Sequence, residues 1–403
     1  MYNRDIYINQ IKKYLNKPII KVITGIRRSG KSCLLKLLIN DLKKTIDSSR
    51  IIYINKESLE FDHIRNYQDL YQYVNKKINQ IEGQKYIFID EIQEILQWEK
   101  AIASFFSMEC IDIYITGSNA HLLSSEIATL ISGRYIIIPV YTLSFNEFIQ
   151  FRDIKQKDIT TEFQNYILYG GFPAIHYFDL NSDVIYQYIS SLYDTILLKD
   201  LIKRNNIRNV RLLENVSKYI FDNIGNIFTS KKIADYLKSQ RIQVSIETIQ
   251  NYINYFESTY AIHKVPRYDI KGKRFLELYE KYYLGDIGLR HALIGFKEHD
   301  ISGILENIVY LELLRHNYQV CIGKHKNKEI DFIATRDNRK IYIQVCYLLS
   351  SKATIKREFS NLLDIRDNYP KYVLSMDTYF GHDFDGIIRM NLIDFLDDKN
   401  QIL

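Results

Sequence analysis

The chain has 403 residues, 46% of them hydrophobic and 25% charged, a composition typical of a globular protein of two to four domains. No apolar run approaches the roughly 20 residues that span a bilayer, and the N-terminus has no signal-peptide core, so we expect neither a membrane protein nor a secreted one. The scattered cysteines form no disulfide framework and no C-x-x-C metal pair, which favours a reducing cytoplasm: Cys33, Cys110, Cys321 and Cys346.

The net charge of +6 is distributed unevenly along the chain. Residues 199–275 contain 15 Lys and Arg against 7 Asp and Glu, a local charge of +8. Such a concentrated basic region is typical of a nucleic-acid-binding surface. A solvated surface of a Lys-rich protein gives the same count, so the charge alone leaves both interpretations open.

A phosphate-binding motif, G-x-x-x-x-G-K-S, occupies residues 25–32. The apolar residues before it predict a buried parallel strand, and the leucines after it recur at helical spacing. Glycines let backbone N–H groups surround an anion, and the helix N-terminus adds partial positive charge. We expect Lys31 to reach the β- and γ-phosphates and Ser32 to hold Mg²⁺. The residues expected around the nucleotide here are Gly25, Arg27, Arg28, Ser29, Gly30, Lys31, Ser32 and Cys33.

A second motif is an apolar run that ends in the pair Asp-Glu, Tyr-Ile-Phe-Ile-Asp-Glu at residues 86–91. Asp90, at the end of the predicted strand, is placed to bind the Mg²⁺ shell, and Glu91 is placed to orient and polarise the attacking water. A buried strand with a polar cap has the same pattern. The presence of the phosphate-binding loop earlier in the chain favours the catalytic interpretation.

Two further strands are predicted at 111–115 and 135–140, each with polar neighbours. Asn119 or Ser118, after the first strand, would sense the γ-phosphate, although a simple turn is the alternative. Arg134, before the second, is a candidate arginine finger acting on a neighbouring subunit, a role that requires an oligomer. An ordinary surface arginine explains the sequence equally well.

Residues 25–32, 88–93 with Trp98-Glu99, and 115–118 together resemble a family of prokaryotic AAA+-type ATPases. The resemblance covers nearly the whole chain, including a later region of no settled function. It implies an α/β fold with a P-loop αβα sandwich and a five-stranded parallel core. It also implies ATP rather than GTP, with Mg²⁺, since the chain lacks an N-K-x-D guanine signature. On this basis, residues 1–160 are the predicted ATPase core and residues 161–215 a helical lid.

The predicted lid contains the run Gly-Gly-Phe-Pro at residues 170–173. Similar signal-transducing ATPases carry a G-x-P there with the proline against adenine, which makes Pro173 a candidate adenine contact. A helix breaker is the alternative. The expected lid arginine has no clear match, so the strength of any nucleotide-driven lid movement stays open.

Residues 216–280 predict a winged helix-turn-helix. Helices capped by Ser230 and Ser245 would be followed by a hairpin with a basic tip. The second helix would expose polar side chains that can read base edges, among them Gln250 and Asn251. The tip would contact phosphates through Lys271, Lys273 and Arg274. Docking of a partner protein is the alternative role for such a module.

Residues 281–403 resemble the restriction-endonuclease-like fold, in which a D…(E/Q)-x-K motif places a metal-binding carboxylate and a lysine on adjacent strands. We expect Glu306-Asn307 to open a helix, and Asp331 and Gln344 to fill the first two motif positions. Cys346 replaces the lysine, and a thiol supplies no ammonium. We therefore predict a nuclease-like domain without cleavage activity, with Glu306, Asp331 and Gln344 as a remnant pocket.

Three functional classes follow from these predictions, all with ATP hydrolysis as the reaction. A DNA-associated ATPase or nucleotide-driven switch is the first, with duplex DNA as partner. The second is a switch whose winged helix docks a partner protein. The third is a nuclease gated by ATP. The later domains offer no second small-molecule site, which disfavours a small-molecule kinase.

Overall fold

The computed structural model describes residues 2–79, 81–120, 133–152, 158–194, 199–378 and 383–397, and the chain divides into two compact units. The first unit comprises residues 1–141 and 258–260, and the second comprises residues 142–257 and 261–403. The predicted boundary at residue 160 lies inside the second unit. Those at 215 and 280 lie inside the helix Val210–Asp222 and the strand Arg274–Leu284, so they do not separate compact units.

The first unit alternates strands with helices. Its strands are β1 (Ile20–Thr24), β2 (Ile51–Asn55), β3 (Lys85–Asp90), β4 (Ile111–Thr116) and β5 (Tyr135–Pro139). Its helices are α1 (Asp5–Lys12), α2 (Lys31–Leu42), α3 (Tyr67–Ile78) and α4 (Trp98–Phe106). All five strands are parallel, in the order β2-β3-β4-β1-β5, which confirms the predicted parallel core.

Both faces of this sheet are covered, because successive strand residues point to opposite sides. On β3, Ile87 and Ile89 pack into a core that includes residues of α3 and α4, whereas Phe88 packs into a second core with residues of α1 and α2. All three side chains are fully buried. The unit is therefore a three-layer αβα sandwich, as predicted.

The carboxyl ends of parallel strands meet at one edge of a sheet, and three polar segments meet at this edge. The phosphate-binding loop follows β1, Asp90 ends β3, and Thr116 ends β4. The parallel register pairs Ile89 with Ile115, which brings Asp90 and Thr116 to the same level. The sheet order, with β4 between β3 and β1, thus positions the candidate site.

The second unit contains the remaining elements. Its helices are α5 (Phe145–Arg152), α6 (Ile159–Tyr169), α7 (Ser182–Leu192), α8 (Lys199–Asn205), α9 (Val210–Asp222), α10 (Ser230–Ser239), α11 (Ile246–Ser258), α12 (Ile287–Ile294), α13 (Ile301–Arg315), α14 (Lys352–Leu363) and α15 (Leu392–Phe395). Its strands are β6 (Ile227–Phe228), β7 (Ile262–Asp269), β8 (Arg274–Leu284), β9 (Gln319–His325), β10 (Lys328–Arg336), β11 (Arg339–Val345), β12 (Lys371–Ser375) and β13 (Ile387–Asn391). Among the described residues, no helix is long and apolar enough to cross a membrane.

These strands form one mixed sheet in the order β13-β12-β11-β10-β9-β7-β8-β6. The hairpin β7–β8 pairs antiparallel, with β6 on its far side, and β7 pairs parallel with β9. The hairpin predicted for the winged region therefore continues directly into the sheet of the C-terminal region. This continuity explains why the two regions form one compact unit.

The glycine pair 170–171 has a packing role in this unit. Asp286 caps α12 by accepting the Gly288 N–H, and it also accepts the Gly171 N–H, both at 2.8 Å. A Cβ at residue 170 would lie 2.1 Å from the Asp286 carboxylate, and the φ of Gly170 is +73°. Only glycine fits this position. Pro173, two residues later, begins a short 3-10 helix, Pro173–Tyr177.

Two helix starts differ from the predictions. The N-cap of α10 is Thr229, which accepts the Lys232 N–H, so Ser230 is the first helical residue rather than the cap. Helix α13 begins at Ile301, well before Glu306-Asn307. Gly303, near its start, allows the helix to approach the Ile224 carbonyl oxygen, which would lie 2.9 Å from a Cβ at residue 303. The predicted cap at Ser245 is present and accepts the Thr248 N–H.

Candidate functional site

The loop 25–30 joins β1 to α2 through two glycines with left-handed backbone. The φ angles are +136° at Gly25 and +101° at Gly30, the N-cap residue of α2. A Cβ at residue 25 would lie 2.1 Å from the Val140 carbonyl oxygen. Both glycines are thus required for the loop to curl at the helix N-terminus, where backbone N–H groups can bind an anion.

Lys31 is buried at the centre of this loop. Its ammonium donates to the carbonyl oxygens of Gly25 at 3.0 Å and Ile26 at 3.1 Å. Burial lowers the pKa of Lys31, and the nearby carboxylates of Glu91 and Asp90 oppose this shift. The lysine is therefore a preorganised cation within reach of an anion in the loop.

Asp90 is fully buried and held by hydroxyl groups. Its Oδ1 accepts from Thr116 Oγ1 at 2.5 Å, and its Oδ2 accepts from the Tyr53 hydroxyl at 3.3 Å. Burial raises the pKa of Asp90, while hydrogen bonds from Thr116 and Ser32 act in the opposite direction. The contact with Ser32 brings together the two side chains that the sequence predicts as Mg²⁺ ligands.

Glu91 follows in a left-handed conformation, with a φ of 56°, which turns its side chain away from the strand direction. Its N–H donates to Thr116 Oγ1 at 2.9 Å. Its Oε2 accepts from the Gln93 side-chain amide, and from Ser118 Oγ at 3.3 Å. The carboxylate is fixed beside Asp90 and retains acceptor capacity for a water molecule.

The sequence prediction missed several residues that support these groups. Thr116 bonds both Asp90 and the Glu91 backbone, and its place at the end of the strand beside β3 was the available signal. Arg4 is buried, stacks 4.6 Å from the Tyr7 ring centroid, and donates to the Ser29 carbonyl oxygen at 2.8 Å. No local pattern connects Arg4 to a loop so far along the chain.

Other predicted nucleotide contacts lie at the border of the loop. Arg27 is partly exposed and contacts Glu57 at 3.4 Å, and Arg28 has a left-handed φ of 65°. Cys33 is exposed on α2. Asn119 lies three residues after β4. Ser118, the alternative candidate for the sensor, is the residue that donates to Glu91.

Arg134 lies at the opposite end of the sheet from the phosphate-binding loop. Its carbonyl accepts the Ile20 N–H at the start of β1, and its guanidinium lies 5.6 Å from the Phe106 ring centroid. The length of β1, about 16 Å at 3.3 Å per residue, separates it from the loop. Arg134 cannot act on the phosphate site of its own chain, and its action on a neighbouring subunit stays a prediction.

The residues present fit a nucleotide with Mg²⁺. Ser29 Oγ is fully buried and has no hydrogen-bond partner among the described residues, so the loop holds an unsatisfied polar atom. The N–H groups of the loop and Lys31 would hold the phosphates. Ser32 and Asp90 offer oxygen ligands, which Mg²⁺ prefers.

In the second unit, the predicted DNA-contacting residues are exposed. Gln250 and Asn251 lie on the solvent-facing side of α11, opposite the buried Ile249 and Ile253. Lys271, Lys273 and Arg274 are exposed at the β7–β8 turn. Asp269 shapes this turn by accepting the N–H groups of Lys271 at 3.1 Å and Gly272 at 3.0 Å.

The predicted remnant pocket contains a lysine that the sequence prediction did not anticipate. Lys281 of β8 lies 3.0 Å from Glu306, 2.7 Å from Glu329 and 3.9 Å from Asp331. Burial lowers the pKa of Lys281, but the three carboxylates outweigh burial and raise it overall. The ammonium thus supplies the positive charge at the centre of the carboxylates.

The other predicted members of the pocket lie next to this cluster. Asp331 accepts the Val345 N–H at 2.8 Å, and Gln344 lies beside it on β11 with a buried Oε1 that has no described hydrogen-bond partner. Cys346 is buried, and burial raises the pKa of its thiol to about 12. Within the described residues, no group of three His, Cys, Asp or Glu side chains is placed to hold a metal ion.

Comparisons with known proteins agree with the geometry of the first unit. A family model described as an AAA domain matches residues 17–149, and one described as a domain of unknown function matches residues 160–300. An uncharacterized protein of Haemophilus influenzae is 37% identical over 98% of both chains. An uncharacterized protein of Methanocaldococcus jannaschii is 32% identical, over 100% of this chain and 88% of its own.

One solved structure with a similar fold is the Walker-type ATPase of Pyrococcus abyssi. It has a TM-score of 0.52 and 14% sequence identity, and the match covers 73% of this chain and 96% of that one. At this identity the similarity concerns the fold.

Proposed function

Because this chain belongs to the family of AAA+-type P-loop ATPases, we propose that it couples ATP hydrolysis to DNA, as a DNA-associated ATPase or a nucleotide-driven switch. The chain is an ATPase by its family and its fold. The residues that perform hydrolysis and the partner that the reaction serves are the subject of the proposal.

The proposed hydrolysis rests on one cluster of side chains at one edge of the sheet: Lys31, Ser32, Asp90 and Glu91. Lys31 and the loop N–H groups stabilise charge on the phosphates. Ser32 and Asp90 would hold Mg²⁺, which neutralises developing phosphate charge when bound. Glu91, fixed by Gln93 and Ser118, accepts a hydrogen bond from the attacking water and aligns it.

For the DNA partner, support comes from the elements between residues 210 and 284. A helix, a short strand, two helices and an antiparallel hairpin follow in the order of a winged helix-turn-helix. Helix α11 exposes Gln250 and Asn251, whose amides suit adenine edges, and the hairpin turn exposes cations for phosphates. Polar and basic groups thus occur on the two elements that such a module uses for DNA.

The test is the steady-state ATPase rate with and without duplex DNA. Stimulation that is lost in a variant with Lys271, Lys273 and Arg274 replaced by Ala supports the DNA partner. A rate indifferent to DNA, in a protein that does hydrolyse ATP, favours the switch that docks a partner protein. The Glu91→Gln variant serves as the blank for contaminating ATPases.

A nuclease gated by ATP is less well supported. Lys281 brings an ammonium to the pocket, but Glu306 and Glu329 already bind it. The Cys346 thiol remains neutral near physiological pH because its pKa is raised. We therefore propose that this region has a nuclease-like fold without cleavage.

A further inference from the structure

The basic turn between β7 and β8 has a neighbour that is remote in sequence. Strand β7 pairs parallel with β9, with Tyr268 opposite Gly323 and Asp269 opposite Lys324. The Ile270 N–H extends this pairing by donating to the Lys324 carbonyl oxygen at 2.9 Å. Since parallel strands run in the same direction, the β7–β8 turn and the β9–β10 turn lie side by side at one end of the sheet.

Both turns carry cations. The β7–β8 turn contributes three exposed ones, and the β9–β10 turn adds the partly exposed Lys324 and the exposed Lys326, which has a left-handed φ of 56°. Asp269 is the carboxylate between them, and its charge faces Lys324 and Arg274. Asp364 pairs with Lys328 at 3.0 Å, and its charge also acts on Lys326. Six cations against two carboxylates leave a strongly positive edge.

We propose that residues 271–274 and 324–326 form a single phosphate-binding edge for duplex DNA, so that the C-terminal region contributes directly to DNA contact. This inference rests on the proposed DNA partner and extends it beyond the predicted helix-turn-helix. Adjacent strands lie about 4.8 Å apart, so the two turns present their cations as neighbours along one edge. A row of cations with few carboxylates matches a phosphate backbone and favours no particular base.

The experiment replaces Lys324 and Lys326 by Ala in the full chain and measures affinity for a fluorescent duplex by anisotropy at three salt concentrations. The log–log salt slope should flatten by about two units, and affinity at 50 mM salt should fall by roughly ten- to a hundredfold. The matched control replaces Lys13 and Lys43, which are exposed on the first unit, and removes the same net charge.

Three results would be informative. A slope equal to that of the Lys13 and Lys43 control overturns the inference while leaving the DNA partner intact. No wild-type binding at 50 mM salt overturns the proposed partner itself, and the inference with it. If the double Ala variant unfolds at lower temperature, Lys326→Glu, at an exposed turn position, is the second variant, and unchanged binding by it also overturns the inference.

Discussion

Lys31 is the cation on which nucleotide affinity should depend most. It is buried, and its two described acceptors are loop carbonyls that bound phosphates can replace. We expect Lys31→Ala to lower ATP affinity by roughly 10²-fold, since hydrogen bonds to charged groups contribute about 1.5–3 kcal/mol each. Isothermal calorimetry with ATP and Mg²⁺ measures this. Lys36→Ala, exposed on the same helix, is the control, and equal affinity of both variants would contradict the assignment.

Glu91 should affect turnover rather than binding. Glutamine keeps the size of the side chain but loses the negative charge that orients and polarises water. We expect Glu91→Gln to lower kcat by about 10²-fold or more with ATP affinity unchanged, because positioned acid–base groups contribute about 10²–10⁴. Glu94→Gln, an exposed neighbour, is the control. If Glu91→Gln turns over at the wild-type rate, the catalytic role belongs to another residue.

At the scale of residues, the sequence allowed prediction of the groups that we propose bind phosphate and Mg²⁺, because their spacing follows from strand–loop–helix geometry. It did not allow prediction of the groups that hold them. Thr116 and Tyr53 reach Asp90 because their strands lie on either side of β3, and Arg4 reaches the loop from the N-cap position of α1. Strand order and helix docking are set by tertiary packing, which local patterns do not encode.

At the scale of elements, strand β8 contributes a lysine to the pocket, which the motif at residues 344–346 does not indicate. It delivers Lys281 to three carboxylates of α13 and β10. We expect Lys281→Met to lower the free energy of unfolding by about 3–5 kcal/mol, the cost of leaving buried charges unpaired. Urea denaturation measures it. Lys264→Met, which breaks the more exposed pair with Glu280 on the same hairpin, should cost at most about 1 kcal/mol.

The same elements predict that DNA is not cleaved. Cys346 occupies the expected lysine position as a buried thiol, and Lys281 is held by Glu306 and Glu329. Incubation of plasmid and linear DNA with Mg²⁺ or Mn²⁺ should leave both intact. Cleavage that persists through purification and disappears in Asp331→Ala would show that the pocket is active without a lysine at residue 346.

Element boundaries were predicted well where patterns were local and poorly where packing decided them. The strands of the first unit and the helices at 230 and 246 follow their apolar spacing, although Thr229 rather than Ser230 caps the first of these helices. Helix α13 begins at Ile301, before its predicted start at Glu306, and Gly303 packs there against the Ile224 carbonyl oxygen. The continuous sheet from β6 to β13 joins the winged-helix and nuclease-like regions, which the sequence motifs had separated.

For the whole molecule, the concentration of positive charge in residues 199–275 predicts how the affinity for duplex DNA depends on salt. Lys and Arg that contact phosphates release condensed counterions, and each contact adds about 0.9 to the log–log slope. Four to six contacts give a slope of about −4 to −5, so affinity should fall by roughly 10²–10³ between 50 and 200 mM salt. A binding titration of the wild-type chain at three salt concentrations measures this slope.

Two sets of variants distinguish contacts to the DNA phosphates from contacts to the base edges. Replacing Lys271, Lys273 and Arg274 by Ala should weaken binding to all sequences and flatten the slope by up to about three units. Replacing Gln250 or Asn251 should instead change sequence preference with little effect on the slope, because amides bind base edges and release no counterions.

If the wild-type chain does not bind duplex DNA at 50 mM salt, the basic region serves as a protein-docking surface or a solvated face. Capture of a partner through α11 then becomes the leading function, and ATP-dependent binding of that partner is the measurement to make.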